Sequence, residues 1–243
     1  MSSRFASLEQ VILDPAFPAV DVALRRGRHI DREDGDWYAF VTDAQDYLEP
    51  FYRRYGCELL TQSDGYFYLL PTGEQLHRRQ LSTGEMLVGQ TLALLFLDPS
   101  TVQSAGMVTH DQVLGRLGGI IGDRELAKAL DPQRKRFDDE RIIHEIIRTK
   151  VGVAVRRLAD LGFIEMLDQH SIRLRSPLLR FADPVRGLQN AHLSMERLIE
   201  KGGIVDLSAS DDSTQTGRNG LDATSDDNED PGDGSDDEEE AET

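Results

Sequence analysis

The sequence predicts an α+β fold that is mainly α-helical with small β-hairpins, arranged as two winged-helix domains in tandem. The first observation is a long helical pattern that stops at a glycine and precedes two short strands, within residues 138–183. The second is the same order of helix, glycine, strand, tight turn and strand within residues 53–70. The two stretches share little identity, so they indicate a common architecture rather than a sequence repeat.

The long helix of the second unit is predicted to bury one face and to present cations on the other. At about 100° per residue its apolar positions form one stripe, which consists of Ile143, Ile147, Val151, Ala154, Leu158 and Leu161. The basic residues lie opposite or beside this stripe, and they are Arg141, Arg148, Lys150, Arg156 and Arg157. Gly162 stands where a residue in the left-handed conformation ends a helix. The helix can therefore offer cations to a groove.

The hairpin after Gly162 is predicted to carry two further cations. Residues 163–167 are apolar apart from Glu165, and residues 168–171 turn the chain. The next strand alternates apolar and basic side chains, in the order Ile172, Arg173, Leu174 and Arg175. A half-buried strand of this kind would let the two arginines reach an adjacent backbone.

The first unit is predicted to contain a helix that starts near Asp14 and ends in a basic cluster. The members of this cluster are Arg25, Arg26, Arg28 and His29. Two interpretations stay open: the cations complement the dipole at the helix C-terminus, or they form a patch for phosphate or for a carboxylate-bearing partner.

Residues 37–55 are predicted to form an aromatic-rich helix that Pro50 kinks or divides. An Asp-Gly pair at 64–65 marks the turn of a hairpin.

Two capping boxes predict helix starts between the hairpins. Ser82 and Glu85 open a helix that ends near Leu97 and is apolar on all sides, which predicts burial between the units or in a dimer interface. Thr109 and Gln112 open what we expect to be the first helix of the second unit. Residues 126–137 contain several cations, and two interpretations remain open for them: a mobile loop that contacts phosphate, and a solvated linker.

These patterns divide the chain into four predicted segments. The N-terminal winged-helix unit with its buried connecting helix covers residues 1–103, and the C-terminal unit covers 104–183. A C-terminal helix covers 184–205, and a disordered acidic tail covers 206–243. The tail holds 15 of the 44 acidic residues and one of the 27 basic residues, so most of the net charge of −17 lies there. The overall charge therefore does not exclude a nucleic-acid partner.

Two interpretations of the acidic tail stay open. In one, the tail keeps the protein in solution. In the other, it covers a basic helix and competes with DNA, since a flexible chain of this length spans about 35 Å root-mean-square.

The sequence offers little support for an enzyme. Its one cysteine, Cys57, excludes an intrachain disulfide and a multi-cysteine metal site, and no two of its six histidines stand at metal-ligand spacing. It contains no nucleophile elbow and no dinucleotide-binding motif, so we expect no catalytic residue, no cofactor and no metal. It also has no apolar run long enough for a bilayer and no signal segment, which predicts a cytoplasmic protein.

Several stretches resemble the MukE family over about residues 10 to 190. The resemblance is carried by residues 14–21, 23–30, 47–55 and 65–69, with shorter matches at 158–162 and 181–186. It implies a non-enzymatic subunit of a bacterial SMC–kleisin condensin complex, acting in chromosome condensation, segregation and cell division on the nucleoid. It also implies a homodimer that binds the kleisin MukF and, through it, the SMC-type ATPase MukB.

We predict that the second winged-helix unit touches DNA weakly, without reading its sequence, when the ATPase complex holds it. The expected contacts are to phosphates, from Arg148, Lys150, Arg156, Arg157, Arg173 and Arg175. Alternatively, these cations pair with acidic residues of the folded part or with the kleisin.

The alternative function is a sequence-specific DNA-binding regulator or a replication initiator, since tandem winged helices also serve there. Such a protein would need base-reading side chains on the exposed face of its helix. That face offers no Asn or Gln, and its residues are Arg141, Glu145, Arg148, Gly152 and Arg156.

Overall fold

The computed structural model of the protein describes residues 4–76, 80–134 and 139–186. Within these ranges, the side chains of Val102 and of residues 183–186 are not described. Most of the predicted helix at 184–205 and the whole predicted tail at 206–243 lie outside the described residues. The same holds for residues 135–138 of the basic segment.

Among the described residues, the N-terminal part has three α-helices and a small antiparallel sheet. Its elements are α1 (Leu8–Leu13), α2 (Phe17–Arg25), β1 (Ile30–Asp31), a 3-10 turn (Arg32–Asp34), α3 (Asp36–Arg53), β2 (Cys57–Gln62) and β3 (Tyr66–Pro71). The strand order is β1-β3-β2. In the hairpin, Leu59 pairs with Leu69, and the turn contains Gly65 with a φ of 85°.

The C-terminal part repeats this strand topology with additional helices. Its elements are α4 (Thr83–Phe96), α5 (Pro99–Gln103), β4 (Met107–Thr109), α6 (His110–Ile121), α7 (Asp123–Leu130), α8 (Glu140–Asp160), β5 (Ile164–Met166), β6 (Ser171–Leu174), a 3-10 turn (Ser176–Leu178) and α9 (Leu179–Arg186). The strand order is β4-β6-β5. In both parts a long helix precedes the hairpin, and a short earlier strand pairs with the last strand. The predicted fold, mainly helical with two small antiparallel sheets, is confirmed.

Each part has its own apolar core. The first core gathers residues between Phe5 and Leu69, and the second gathers residues between Leu81 and Ala182. Helix α4 lies in the second core, where it packs against α8 and α9. The expected division at residue 103 stays a prediction, but the packing places α4 with the C-terminal unit. Helix α4 is therefore the first helix of the C-terminal unit. The prediction that α6 is the first helix of this unit is wrong, since α4 precedes it in the chain.

The two predicted capping boxes and the glycine stop are confirmed, whereas α2 begins at Phe17 with Ala16, not Asp14, as its N-cap residue. The side chains of Ser82 and Thr109 accept hydrogen bonds from the backbone of Glu85 and Gln112, and both capping boxes are complete. Gly162 ends α8 with a φ of 78°, in the left-handed region. The all-round burial predicted for α4 is also observed, from Met86 to Ala93.

Other local predictions are corrected. Pro50 does not divide α3, which continues to Arg53 although the proline cannot donate to the carbonyl oxygen one turn earlier. Residues 126–130 belong to α7 rather than to a loop, since Leu126 and Ala127 are fully buried in the second core. Helix α1 and the short strands β1 and β4 had not been predicted.

Candidate nucleic-acid interface

Helix α8 presents the predicted basic face to the exterior. Its apolar stripe is buried in the second core, and this burial fixes which side of the helix is exposed. Asp139 caps the first turn by accepting a hydrogen bond from the backbone of Arg141. Because the apolar stripe faces the core, Arg148 and Arg156, which lie two turns apart, are both exposed on the same face.

Two long ion pairs engage basic residues of α8. The Nη2 atom of Arg148 lies 3.6 Å from the Oδ1 of Asp111, with side chains 70% and 79% exposed. The Nζ of Lys150 lies 3.8 Å from the Oδ1 of Asp131. Arg156 pairs with no carboxylate among the described residues. Exposed pairs of this kind contribute about 0–1 kcal/mol, so a phosphate could replace the carboxylates at little cost.

Arg157 lies in a groove that involves both winged-helix units. The groove has a volume of about 450 Å³, and its lining includes Arg26, Arg28, Trp37, Arg157 and Asp160. Of the basic cluster predicted at the end of α2, only Arg26 is exposed. Arg28 pairs with Asp34 at 3.1 Å. Within this cluster, Arg25 and Arg28 therefore form local ion pairs, while Arg26 and Arg28 line the groove.

Arg173 lies on β6, the middle strand of the second sheet. Its Nη1 lies 3.0 Å from the Oε2 of Glu165, the residue directly opposite on β5. Both side chains are partly exposed, at 39% and 47%. The pair supports the strand register and leaves Arg173 within reach of solvent.

Arg175 has a different environment from the one the sequence predicts. Strand β6 ends at Leu174, and the following turn directs the guanidinium into the protein, where it is 4% exposed. There it lies 2.6 Å from the Oδ1 of Asp31 and 3.0 Å from the Oδ2 of Asp34. The prediction of a DNA contact at Arg175 is therefore corrected: this side chain joins the two units.

A buried histidine lies in the same joint. The Nδ1 of His29 lies 3.0 Å from the carbonyl oxygen of Leu161, and the Nη1 of Arg180 lies 2.7 Å from its Nε2. Because a guanidinium only donates, Nε2 is the acceptor and Nδ1 carries the proton. Burial lowers the pKa of His29 well below its ordinary value, and Arg180 lowers this pKa further. The joint therefore holds a neutral imidazole.

Sequence reasoning missed one residue of the basic face. His110, the first residue of α6, lies beside Gly152, at the middle of the exposed face of α8. Its backbone N–H donates to the carbonyl oxygen of His170 at 2.9 Å, which ties α6 to the turn of the hairpin. The only sequence signal was its position immediately after the capping residue Thr109.

The described residues contain no cluster of three or more His, Cys, Asp or Glu side chains that could hold a metal ion. Within the same ranges, no helix combines the length and the apolar content that a membrane span requires. Cys57 is buried, and burial raises the pKa of its thiol, which disfavours the reactive thiolate.

The two units, each with a long helix before an antiparallel hairpin, define the chain as a tandem winged-helix protein with an exposed basic helix. The sequence profile of the MukE-like family matches residues 4–235, and the chain belongs to this family. It is a non-catalytic member of the chromosome-partition machinery, as the resemblance implies.

Three relatives show the extent of the similarity. Chromosome partition protein MukE of Shigella flexneri is 34% identical over 198 residues, which cover 80% of this chain and 87% of the relative. The protein of the same name from Haemophilus ducreyi is 36% identical over 201 residues, covering 81% and 83%. That from Histophilus somni is 36% identical over 218 residues, covering 88% and 85%.

Proposed function

We propose that the chain is a subunit of an SMC–kleisin condensin complex that condenses and segregates the chromosome before cell division. In this proposal it forms a homodimer on the nucleoid in the cytoplasm. It binds a MukF-type kleisin and, through it, a MukB-type SMC ATPase that supplies the ATP chemistry. The proposal is supported by membership of the MukE-like family and by relatives named for chromosome partition.

The proposal includes a weak, non-specific DNA contact in the assembled complex. One observation carries it: Arg148 and Arg156 lie on one exposed helix face, and only a long, exposed ion pair engages the first of them. Lys150, Arg157 and Arg173 complete the proposed set, while Arg175 is left out because it is buried.

The composition of α8 favours contacts to phosphate over base reading. The helix carries five basic and three acidic residues and no Asn or Gln. A small positive excess attracts the DNA backbone, but the amide side chains that pair with adenine are missing. This supports assembly-dependent binding, and it disfavours the alternative of an operator-binding regulator.

Co-purification tests the assembly. When the tagged chain is purified from its native host cells, a MukF-type kleisin and a MukB-type ATPase should co-purify with it. Selection from random duplexes at moderate salt should enrich no short operator. A chain that retains neither protein but enriches one operator sequence would support the regulator and contradict the assembly.

Charge reversal tests the DNA contact. Lys150→Glu with Arg157→Glu should weaken DNA retention by the assembled complex. The matched control is Arg53→Glu with Arg54→Glu, which changes the net charge equally at two exposed residues at the end of α3. If the complexes assemble equally and the first variant retains DNA as well as the control does, the contact proposed for Lys150 and Arg157 is wrong.

A further inference from the structure

His110 lies between the two exposed arginines of α8. The Nε2 of its ring is 3.8 Å from the position that a Cβ on Gly152 would occupy. Gly152 follows Arg148 by four residues and precedes Arg156 by four, so the three positions share one helix face. The imidazole therefore stands at the centre of a basic row that extends about 12 Å along the helix.

The surroundings of the ring are charged and only partly paired. Its Nδ1 is buried and has no hydrogen-bond partner among the described residues. The charged and titratable groups that face it are Asp111 from its own helix, Arg148 and Arg156 from α8, and His170 from the hairpin turn. Asp168 holds that turn by accepting the backbone N–H groups of His170 and Ser171, each at 2.7 Å.

These groups keep the ring neutral in the free protein. Burial is the main cause that lowers the pKa of His110. The charges of Arg148, His170 and Arg156 lower this pKa further, whereas Asp111 raises it. A phosphate bound against the two arginines would add negative charge beside the ring. That charge would offset the arginines and favour the imidazolium, which can donate from Nε2.

We propose that His110, Arg148, Arg156 and His170 form one binding site for the phosphates of a DNA strand, and that this site takes up a proton when DNA binds. Asp111 occupies the place of the anion in the free protein, at 3.6 Å from Arg148, and gives way to a phosphate. The inference rests on the proposed DNA contact and adds a pH dependence to it. Because the bound form holds the extra proton, DNA binding strengthens as the pH falls from 8 towards 6.

Proton NMR of the histidine rings in the full-length chain tests the site directly. The pKa of each ring is measured at low salt, alone and with a short DNA duplex, and the signals are assigned with single His→Gln variants. The duplex should raise the pKa of His110. It should leave the pKa of His29, which is buried in the joint between the two winged-helix units, unchanged.

A second arm separates DNA from free phosphate. Inorganic phosphate is added at the same ionic strength and the same phosphate concentration as the duplex. If it raises the pKa of His110 as much as the duplex does, the site serves the free anion, and the assignment to DNA is overturned.

The assembled complex provides the functional readout. His110→Gln should flatten the pH dependence of DNA retention between pH 8 and 6. If the wild-type complex retains DNA through Arg148 and Arg156 but shows no such pH dependence, this inference fails and the proposed function stands. If replacing Arg148 and Arg156 does not weaken DNA retention, the proposed DNA contact itself is wrong.

Discussion

The Nη2 atom of Arg175 lies 2.6 Å from the Oδ1 of Asp31, although 144 positions separate the two residues in the chain. Their side chains are 4% and 2% exposed. Burial raises the pKa of Asp31, while Arg175 works in the opposite direction. The pair joins the hairpin of the second winged-helix unit to the first unit, so the joint depends on a desolvated ion pair.

Replacing Arg175 should therefore destabilise the protein strongly. Arg175→Met leaves Asp31 buried without its cation, and the free energy of unfolding in urea should fall by about 3–5 kcal/mol. Arg173→Met is the matched control two residues away, because Arg173 pairs with Glu165 in an exposed position. It should change the free energy of unfolding by less than about 1 kcal/mol. Equal losses in the two variants would contradict a specific role for the joint.

The neutral His29 predicts a loss of stability in mild acid. Its pKa is lower in the folded protein than in the unfolded chain, so the unfolded chain takes up the proton first. The contribution is complete above about pH 6.5 and declines as the pH falls through that value towards the folded pKa, by at most about 1.4 kcal/mol per pH unit. Urea unfolding between pH 7.5 and 5.5 measures this slope.

His110 acts in the same direction, since its pKa is also lowered, so single variants must separate the two contributions. His29→Gln should lose most of the slope, and His110→Gln should lose the smaller part. An unchanged slope in His29→Gln would show that the buried ring titrates normally.

Two glycines predict opposite effects of the same substitution. A Cβ on Gly115 in α6 meets nothing within 4 Å, so Gly115→Ala should stabilise the protein by about 0.5–1 kcal/mol through helix propensity. A Cβ on Gly89 in α4 would lie 2.5 Å from the ring of Phe181 in α9. Gly89→Ala should therefore lower the free energy of unfolding by about 1–3 kcal/mol. Thermal or urea unfolding of both variants checks the signs, and a stabilising Gly89→Ala would contradict the close packing of α4 on α9.

The elements that sequence predicted well carry long patterns. Helix α8 has an apolar stripe over its whole length, and Gly162 provides a stop, so both its existence and its exposed face follow from the spacing. The two hairpins contain apolar runs separated by short turns. By contrast, β1 and β4 have two and three residues, too few for any periodicity to appear.

The candidate site was predictable in part for a related reason. Exposed helix positions such as Arg148 and Arg156 follow from local periodicity alone. Arg175 continues an alternating strand pattern in the sequence, but the strand ends one residue earlier and a turn points the side chain at Asp31. His110 joins the basic face because the first residue of α6 lies against α8 at Gly152. Both placements are tertiary contacts, and one sequence alone does not reveal them.

The salt dependence of DNA retention by the assembled complex tests the central claim, a phosphate contact through the exposed face of α8. Each phosphate contact contributes about one unit to the slope of log affinity against log salt concentration. Arg148→Gln with Arg156→Gln should therefore weaken retention and reduce the slope by about two units, while Arg53→Gln with Arg54→Gln leaves both unchanged. An affinity and a slope equal to those of the wild-type complex, with assembly intact, would contradict the account.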